Sequence, residues 1–181
     1  MDANIIRACK TGDIEYIKEK LEEGIDLSER NEYLLRMAAK FGHLDIVDLL
    51  VNNGADITAM NLEAVRHTVL HGHIDILKYF IEKGVDIQDK LGQYLTIATC
   101  NDRNEIVRYL IGFVTDVSII EFLPLRIACY NGNVRLVKLF VQHGADIHMN
   151  NDEPKRIAKE NDHFDLLYYI NSLPKGEKTD V

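Results

Sequence analysis

The chain has 181 residues, 46% hydrophobic and 28% charged, with 11 Gly, 3 Pro and no Trp. That is the composition of a globular domain with a substantial core, and it excludes a disordered, collagen-like or low-complexity chain. A formal charge of -8 speaks against nucleic acid or an anionic membrane as partner, since both call for a basic surface.

The first residues, Met1 to Lys10, lack the basic region and apolar run of a secretory leader, and no apolar stretch approaches the ~20 residues of a membrane span. Three cysteines, none at metal-ligand spacing, fit a reduced, cytoplasmic protein. Along the chain two markers then recur on one beat. The first is a turn: Thr11-Gly12-Asp13, Phe41-Gly42-His43, His71-Gly72-His73 and Asn131-Gly132-Asn133. The second is Gly-x-Asp-apolar, at Gly24 to Leu27, Gly54 to Ile57, Gly84 to Ile87 and Gly144 to Ile147, with a degenerate copy at Val114 to Val117. Its aspartates stand at 26, 56, 86, 116 and 146, a spacing of 30 without slippage. Six units follow, about 1–30, 31–60, 61–90, 91–120, 121–150 and 151–174, with a polar tail at 175–181. They leave no room for a second domain.

Each unit reads as two short helices. The first is small and polar, as in Leu34 to Ala39, with alanines at 8, 38, 98, 128 and 158 that let neighbouring units approach closely. The second is clear in Leu44 to Val51, where Ile46, Leu49 and Leu50 fall at helical spacing. Its equivalents run through Ile74–Ile81, Asn104–Ile111, Val134–Val141 and Phe164–Ile170. Glycines 24, 54, 84 and 144 suit the left-handed residue that ends a helix. The predicted fold is an all-α solenoid of six helix-turn-helix units.

Pro124 to Asn133, followed by Val137 to Phe140 and His143 to Ile147, resembles an ankyrin repeat, and the likeness extends over essentially the whole chain. Ankyrin units usually have 33 residues. The three missing here fall where the family carries its projecting β-hairpin finger, so the resemblance implies shortened or absent fingers. The 30-residue unit, with Leu-Arg-x-Ala in place of Thr-Pro-Leu-His, is similar to the ankyrin-repeat proteins of giant DNA viruses, which implies a host-directed role.

The two ends read as caps. Glu19 and Lys20 take the places of Leu49 and Leu50, Lys155 and Lys159 those of Leu125 and Cys129, and Asn171 that of Val141. Pro174 forbids further helix. A complete six-unit module is the expectation.

Candidate chemistry is sparse. His67 and His71 stand i,i+4 with His73 beyond, a spacing that can bring two imidazoles to one metal. Yet His73 matches the turn histidines 43 and 163, and no third ligand stands nearby. A satisfied structural His67 is the expectation, with no metal and no cofactor. Cys9, Cys100 and Cys129 read as small apolar fillers. No nucleophile-base arrangement or phosphate loop appears, so no enzyme is expected. Arg36, Arg66, Arg126 and Arg156 form a ladder beside the aspartates; pairing between units or to loop carbonyls is the favoured reading, and docking of an acidic partner the other.

The resemblance implies a protein partner along a concave groove built from the finger positions and the ends of the first helices. Carried over onto this chain, the contact residues are Arg30, Glu32, Phe41, Met60, Leu62, His71, Lys90, Asn101, Ile120, Phe122, Tyr130 and Asn131. Large apolar side chains at such positions, Leu70 among them, are the material of binding hot spots. Unit four departs most, with Asp102-Arg103 at the turn and Phe113, Ile119, Ile120 and Phe122 close together. Drift and a partner-adapted junction both account for it; Gly112 is expected to end its second helix early. Thr179-Asp180-Val181 matches a carboxyl-terminal pattern taken up by some PDZ domains. The expected function is a non-catalytic, monomeric protein-binding module with no small-molecule substrate. A substrate-recruiting adaptor of a ubiquitin ligase is the alternative, disfavoured because the residues beyond Pro174 cannot hold the F-box-like segment of such adaptors.

Overall fold

The structure, a computed structural model, describes residues 3–24 and 31–174. Arg30, Asp26 and the Thr179-Asp180-Val181 tail lie outside the described residues. Among those described there are helices and turns but no β-strand, so no β-hairpin finger forms there. None of these helices is long and apolar enough to cross a membrane. By its contacts the chain divides into two compact units, Met1–Ile87 and Gln88–Val181.

The N-terminal unit holds three helical hairpins: α1 (Ala3–Thr11) with α2 (Ile14–Glu22), α3 (Asn31–Phe41) with α4 (Leu44–Asn52), and α5 (Ala59–His71) with α6 (Ile74–Glu82). The first helices pack α1 on α3 on α5, and α4 packs on α6. Leu34, Leu35, Val65, Ile46, Leu50, Leu77 and Phe80 fill the space between the layers, each buried. Burial of side chains of this size contributes about 1.5–3 kcal/mol each, and it is the main driving force here. Ala38 is fully buried at the first-helix contact. Thr68 holds the equivalent place in α5, and its hydroxyl donates to the Ala64 carbonyl (3.0 Å), which is what lets a polar residue sit in that seam.

The C-terminal unit repeats the plan with α7 (Leu91–Cys100), α8 (Asn104–Leu110), α9 (Ser118–Phe122), α10 (Pro124–Tyr130), α11 (Val134–Gln142), α12 (Met149–Glu160) and α13 (Phe164–Ser172). Here α7, α10 and α12 stack through the fully buried Ala98, Ala128 and Ala158. Pro124 sits at the first position of α10, where its missing N–H costs nothing.

Two turn devices set the repeat. Gly54, Gly84 and Gly144 adopt φ of 90–92°, and the next residue reaches back to close the helix: Ala55 N donates to Leu50 O (3.0 Å), Val85 N to Phe80 O (3.1 Å) and Ala145 N to Phe140 O (3.1 Å). Between the helices of a hairpin the glycine does more. Nε2 of His43 donates to the Lys10 carbonyl (3.0 Å), that of His73 to the Lys40 carbonyl (2.9 Å), and that of His163 to the Tyr130 carbonyl (2.7 Å). Each ring thereby lies against a glycine of the preceding repeat: Gly12, Gly42 and Gly132, where an added Cβ would stand 2.5–2.7 Å from the imidazole. Asp102 and Asp162 fill the same register with φ of 54° and 57°, since a short polar side chain tolerates the left-handed region.

Several sequence expectations are corrected. Among the described residues, three aspartates of the ladder, Asp56, Asp116 and Asp146, are held by turn amides and not by the arginine ladder. Oδ1 of Asp56 accepts from Thr58 N (2.8 Å) and Thr58 Oγ1 (2.7 Å), that of Asp116 from Ser118 N (2.9 Å), and that of Asp146 from His148 N (2.8 Å). The aspartate is a turn former, because its carboxylate reaches the amide two residues on more easily than a guanidinium across the layer. The arginines meet glutamates: Arg66 grips Glu63 with two bonds (2.8 and 3.1 Å), and Arg126 reaches Glu153 (3.1 Å). Arg36 lies over the Tyr33 ring and against the Met60 sulfur. Cys9 and Cys129 are buried, which pushes both thiols up to about 12, but Cys100 is exposed and fills no core position. Helix α8 does end early, at Leu110, yet through a tightened 3-10 turn over Ile111–Phe113; Gly112 is not left-handed.

Gly54 and Gly42 share a left-handed backbone, but only Gly42 has a ring above it. Gly54→Ala is expected to cost about 1–2 kcal/mol from backbone conformation alone. Gly42→Ala is expected to cost about 1 kcal/mol more, through the displaced His73 bond. Urea denaturation of the two variants checks this, and equal losses would remove the ring from the account.

Candidate interaction surface

The finger positions adopt three different backbone forms. Met60, Asn61 and Leu62 make a left-handed turn (φ 52–65°), and Asn150, Asn151 and Asp152 repeat it (φ 50–60°). Residues Gln88–Lys90 form a 3-10 turn, and Ser118–Phe122 a right-handed turn of α-helix. The last choice decides what α9 shows. It packs on α7 and α10 and turns Ile120 fully inward, while Gly92 of α7 leaves room for Ile119, whose Cγ2 would stand 3.2 Å from an added Cβ. Ile120 is therefore a core residue and not a contact residue, a correction to its place in the groove. Its neighbour Phe122 points out instead, 73% exposed.

In the N-terminal unit the remaining positions gather on α3 and α5. Phe41 is 42% exposed and Met60 61% exposed, with Glu32, Leu62 and His71 half-buried beside them. Lys40 Nζ lies 5.5 Å from the Phe41 ring. In the C-terminal unit, Tyr130 is 64% exposed and Asn131 exposed at the end of α10, while Lys90 and Asn101 are half-buried. The Asn101 side chain is spent on the Ile97 carbonyl (2.8 Å), closing the end of α7.

Other exposed apolar residues escaped the sequence reading. Phe164 and Tyr168 stand i,i+4 on α13, 72% and 82% exposed. Register comparison contained the signal, because Tyr168 occupies the place of Lys18, Asp48, Lys78, Arg108 and Lys138. A shallow hollow of about 590 Å³ lies between α4 and α6, lined by Gly42, His43, Leu44, Asp45, Asp48 and Tyr79. The Tyr79 hydroxyl donates to Asp48 (2.9 Å); burial, reinforced by this bond, pushes the phenol up to about 12.

The histidines of the N-terminal unit stack side by side, His67 on His71 at 6.1 Å and His71 on His73 at 6.4 Å. His73 is committed to the Lys40 carbonyl. Contrary to expectation His67 is not satisfied: Nδ1 is buried without a hydrogen-bond partner, and Nε2 stands 3.6 Å from Glu63, too far for a good bond. Burial first, and then the Arg66 guanidinium, holds its pKa below the usual histidine value. A hydrogen bond from Arg66 holds Glu63 below the usual carboxylate range.

Because the folded pKa of His67 lies under the unfolded one, its neutral form contributes stability above the unfolded value of about 6.5, and that share is lost as pH falls through the folded value. Wild type is therefore expected to lose more stability than His67→Gln between pH ~7 and pH ~5. Urea denaturation at both pH values checks it; equal losses would mean that the imidazole is not linked to folding.

Comparison with protein families agrees with this geometry. The model described as "Ankyrin repeats (many copies)" matches residues 5–51 and 35–81, and the one described as "Ankyrin repeat" matches residues 121–152. Among curated proteins nothing matches the chain. With helical hairpins on a thirty-residue register and family matches in both units, the chain belongs to the ankyrin-repeat family.

Proposed function

We propose that this protein is a non-catalytic module that binds a partner protein through the first-helix and finger-position residues of its repeats. Ankyrin repeats are generally protein-protein interaction modules, and that is the frame for the reading. The observation that carries it is the exposure of Phe41, Met60, Phe122 and Tyr130 at positions where the fold needs no apolar residue. Scaffold positions repeat from unit to unit, whereas these do not. Large side chains kept in water at packing-neutral sites are what an interface core is made from. The likeness of the thirty-residue unit to those of giant DNA viruses supports a host protein as partner and the host-cell cytoplasm as the place of action. In this reading the module acts as a monomer and takes no cofactor.

A Phe41→Ala/Met60→Ala/Phe122→Ala variant tests the surface. Each residue is exposed, so the variant is expected to melt within a few degrees of wild type. Affinity capture from host-cell lysate is expected to yield a partner with wild type, weakened at least ~10-fold in the variant, as loss of a hot-spot residue implies. A partner held equally by both proteins would move the contact away from these residues.

A further inference from the structure

Charge in the N-terminal unit is sorted by helix. The first helices α1, α3 and α5 carry Arg7, Lys10, Arg36, Lys40 and Arg66 against only Glu32 and Glu63. The second helices α2, α4 and α6 carry seven acids against three lysines. In a protein of net charge -8, the described first helices of this unit thus carry a cationic excess. The C-terminal unit shows no such sorting: α7 has no charged residue, α10 only Arg126, and α12 three acids against three bases.

The cationic face is also under-satisfied. Nε of Arg36 and Nδ1 of His67, on the adjacent helices α3 and α5, are both buried without a hydrogen-bond partner. Glu63 is a carboxylate that feels Arg66, His67 and Arg36 together. Arg66, Lys40 and Arg36 all disfavour a charge on His67, so their fields overlap at one place. Phe41 and Met60 flank that place and are exposed.

From this we propose that the first-helix face of the N-terminal unit docks an acidic polypeptide segment, with its carboxylates on Arg36, Lys40 and Arg66 and its apolar side chains on Phe41 and Met60. The inference rests on the binding-module reading and names the class of its partner. A polypeptide fits better than nucleic acid because exposed apolar side chains are interleaved with the cations, offering a segment's own apolar side chains a contact that a phosphate backbone lacks. Opposite charge on the partner supplies steering and register, the apolar pair the desolvated contact.

The probe is a fluorescein-labelled dodecapeptide of glutamate with leucine at every third place, titrated at low ionic strength and read by anisotropy. Its lysine counterpart and a single-stranded oligodeoxynucleotide of equal charge run in parallel. The glutamate peptide is expected to bind tightest, to weaken with added salt, and to weaken about tenfold in Arg36→Gln/Arg66→Gln. Arg7→Glu/Lys10→Glu, on exposed positions of α1, is expected to weaken it too with the fold untouched. On binding, the His67 imidazole is expected to titrate at higher pH by proton NMR, because carboxylates arrive beside it. A glutamate peptide no tighter than the lysine peptide, binding blind to both variants, or preference for the oligonucleotide overturns the proposal. A captured partner lost from the Phe41/Met60/Phe122 variant but contacting the protein through a neutral or basic segment ends the acidic assignment and leaves the binding module standing.

Discussion

A histidine ring laid over a glycine of the preceding repeat is the contact that fixes the register at three of the junctions, those of His43, His73 and His163. It joins three requirements in one place. The hairpin must reverse through a left-handed residue, the last carbonyls of the first helix need donors, and the next repeat must arrive at a fixed distance. His43, His73 and His163 meet the second and third together, and the glycines beneath them meet the first. The first helices meet through small buried side chains, Ala38, Ala98, Ala128 and Ala158, with Thr68 at the equivalent place in α5. Burial of the leucines, isoleucines and phenylalanines supplies the free energy; the ring decides where the helices come to rest.

What packing fixes leaves the rest of each repeat free, and the free positions are where this chain differs from itself. Turn aspartates, capping glycines and core aliphatics recur, but the ends of the first helices do not. The same scaffold place is Lys10, Lys40 and then Leu70, or Arg7, Met37 and then His67. Cations accumulate on one face of the N-terminal unit, and the C-terminal unit shows aromatic side chains instead. A repeat scaffold separates the two tasks cleanly, since each unit's stability depends on its neighbours' packing faces and not on what its outer positions display.

The fold was legible because its signals are local and periodic. The thirty-residue beat, the left-handed glycines and the helical spacing of Ile46, Leu49 and Leu50 each state a backbone requirement that a string of letters can carry. Contacts that depend on how a turn is wound were not. Ile120 reads as a contact residue because the ankyrin resemblance carries a finger position onto it, as onto Met60 and Asn150, which are exposed on turns that wind left-handed. At Ser118–Phe122 the turn winds right-handed and rotates Ile120 into the core. The Arg and Asp ladders failed for another reason. Equal periodicity shows that two groups recur together, but not that they touch, and a nearer amide claimed Asp56, Asp116 and Asp146. Tyr168 is readable from the sequence, since its five peers in register are all charged.

The glycine under the ring also orders the paths by which such a repeat changes. Asp102 stands where Gly12, Gly42 and Gly132 stand, and the residue thirty-one places on from it is Asn133, whereas for each of those glycines it is a histidine. A side chain at the left-handed slot costs less once the imidazole above it has gone. Losing the histidine first and the glycine second is therefore the cheaper order, since the reverse passes through a clash. Gly72 is followed at that distance by Arg103, so no imidazole constrains that slot.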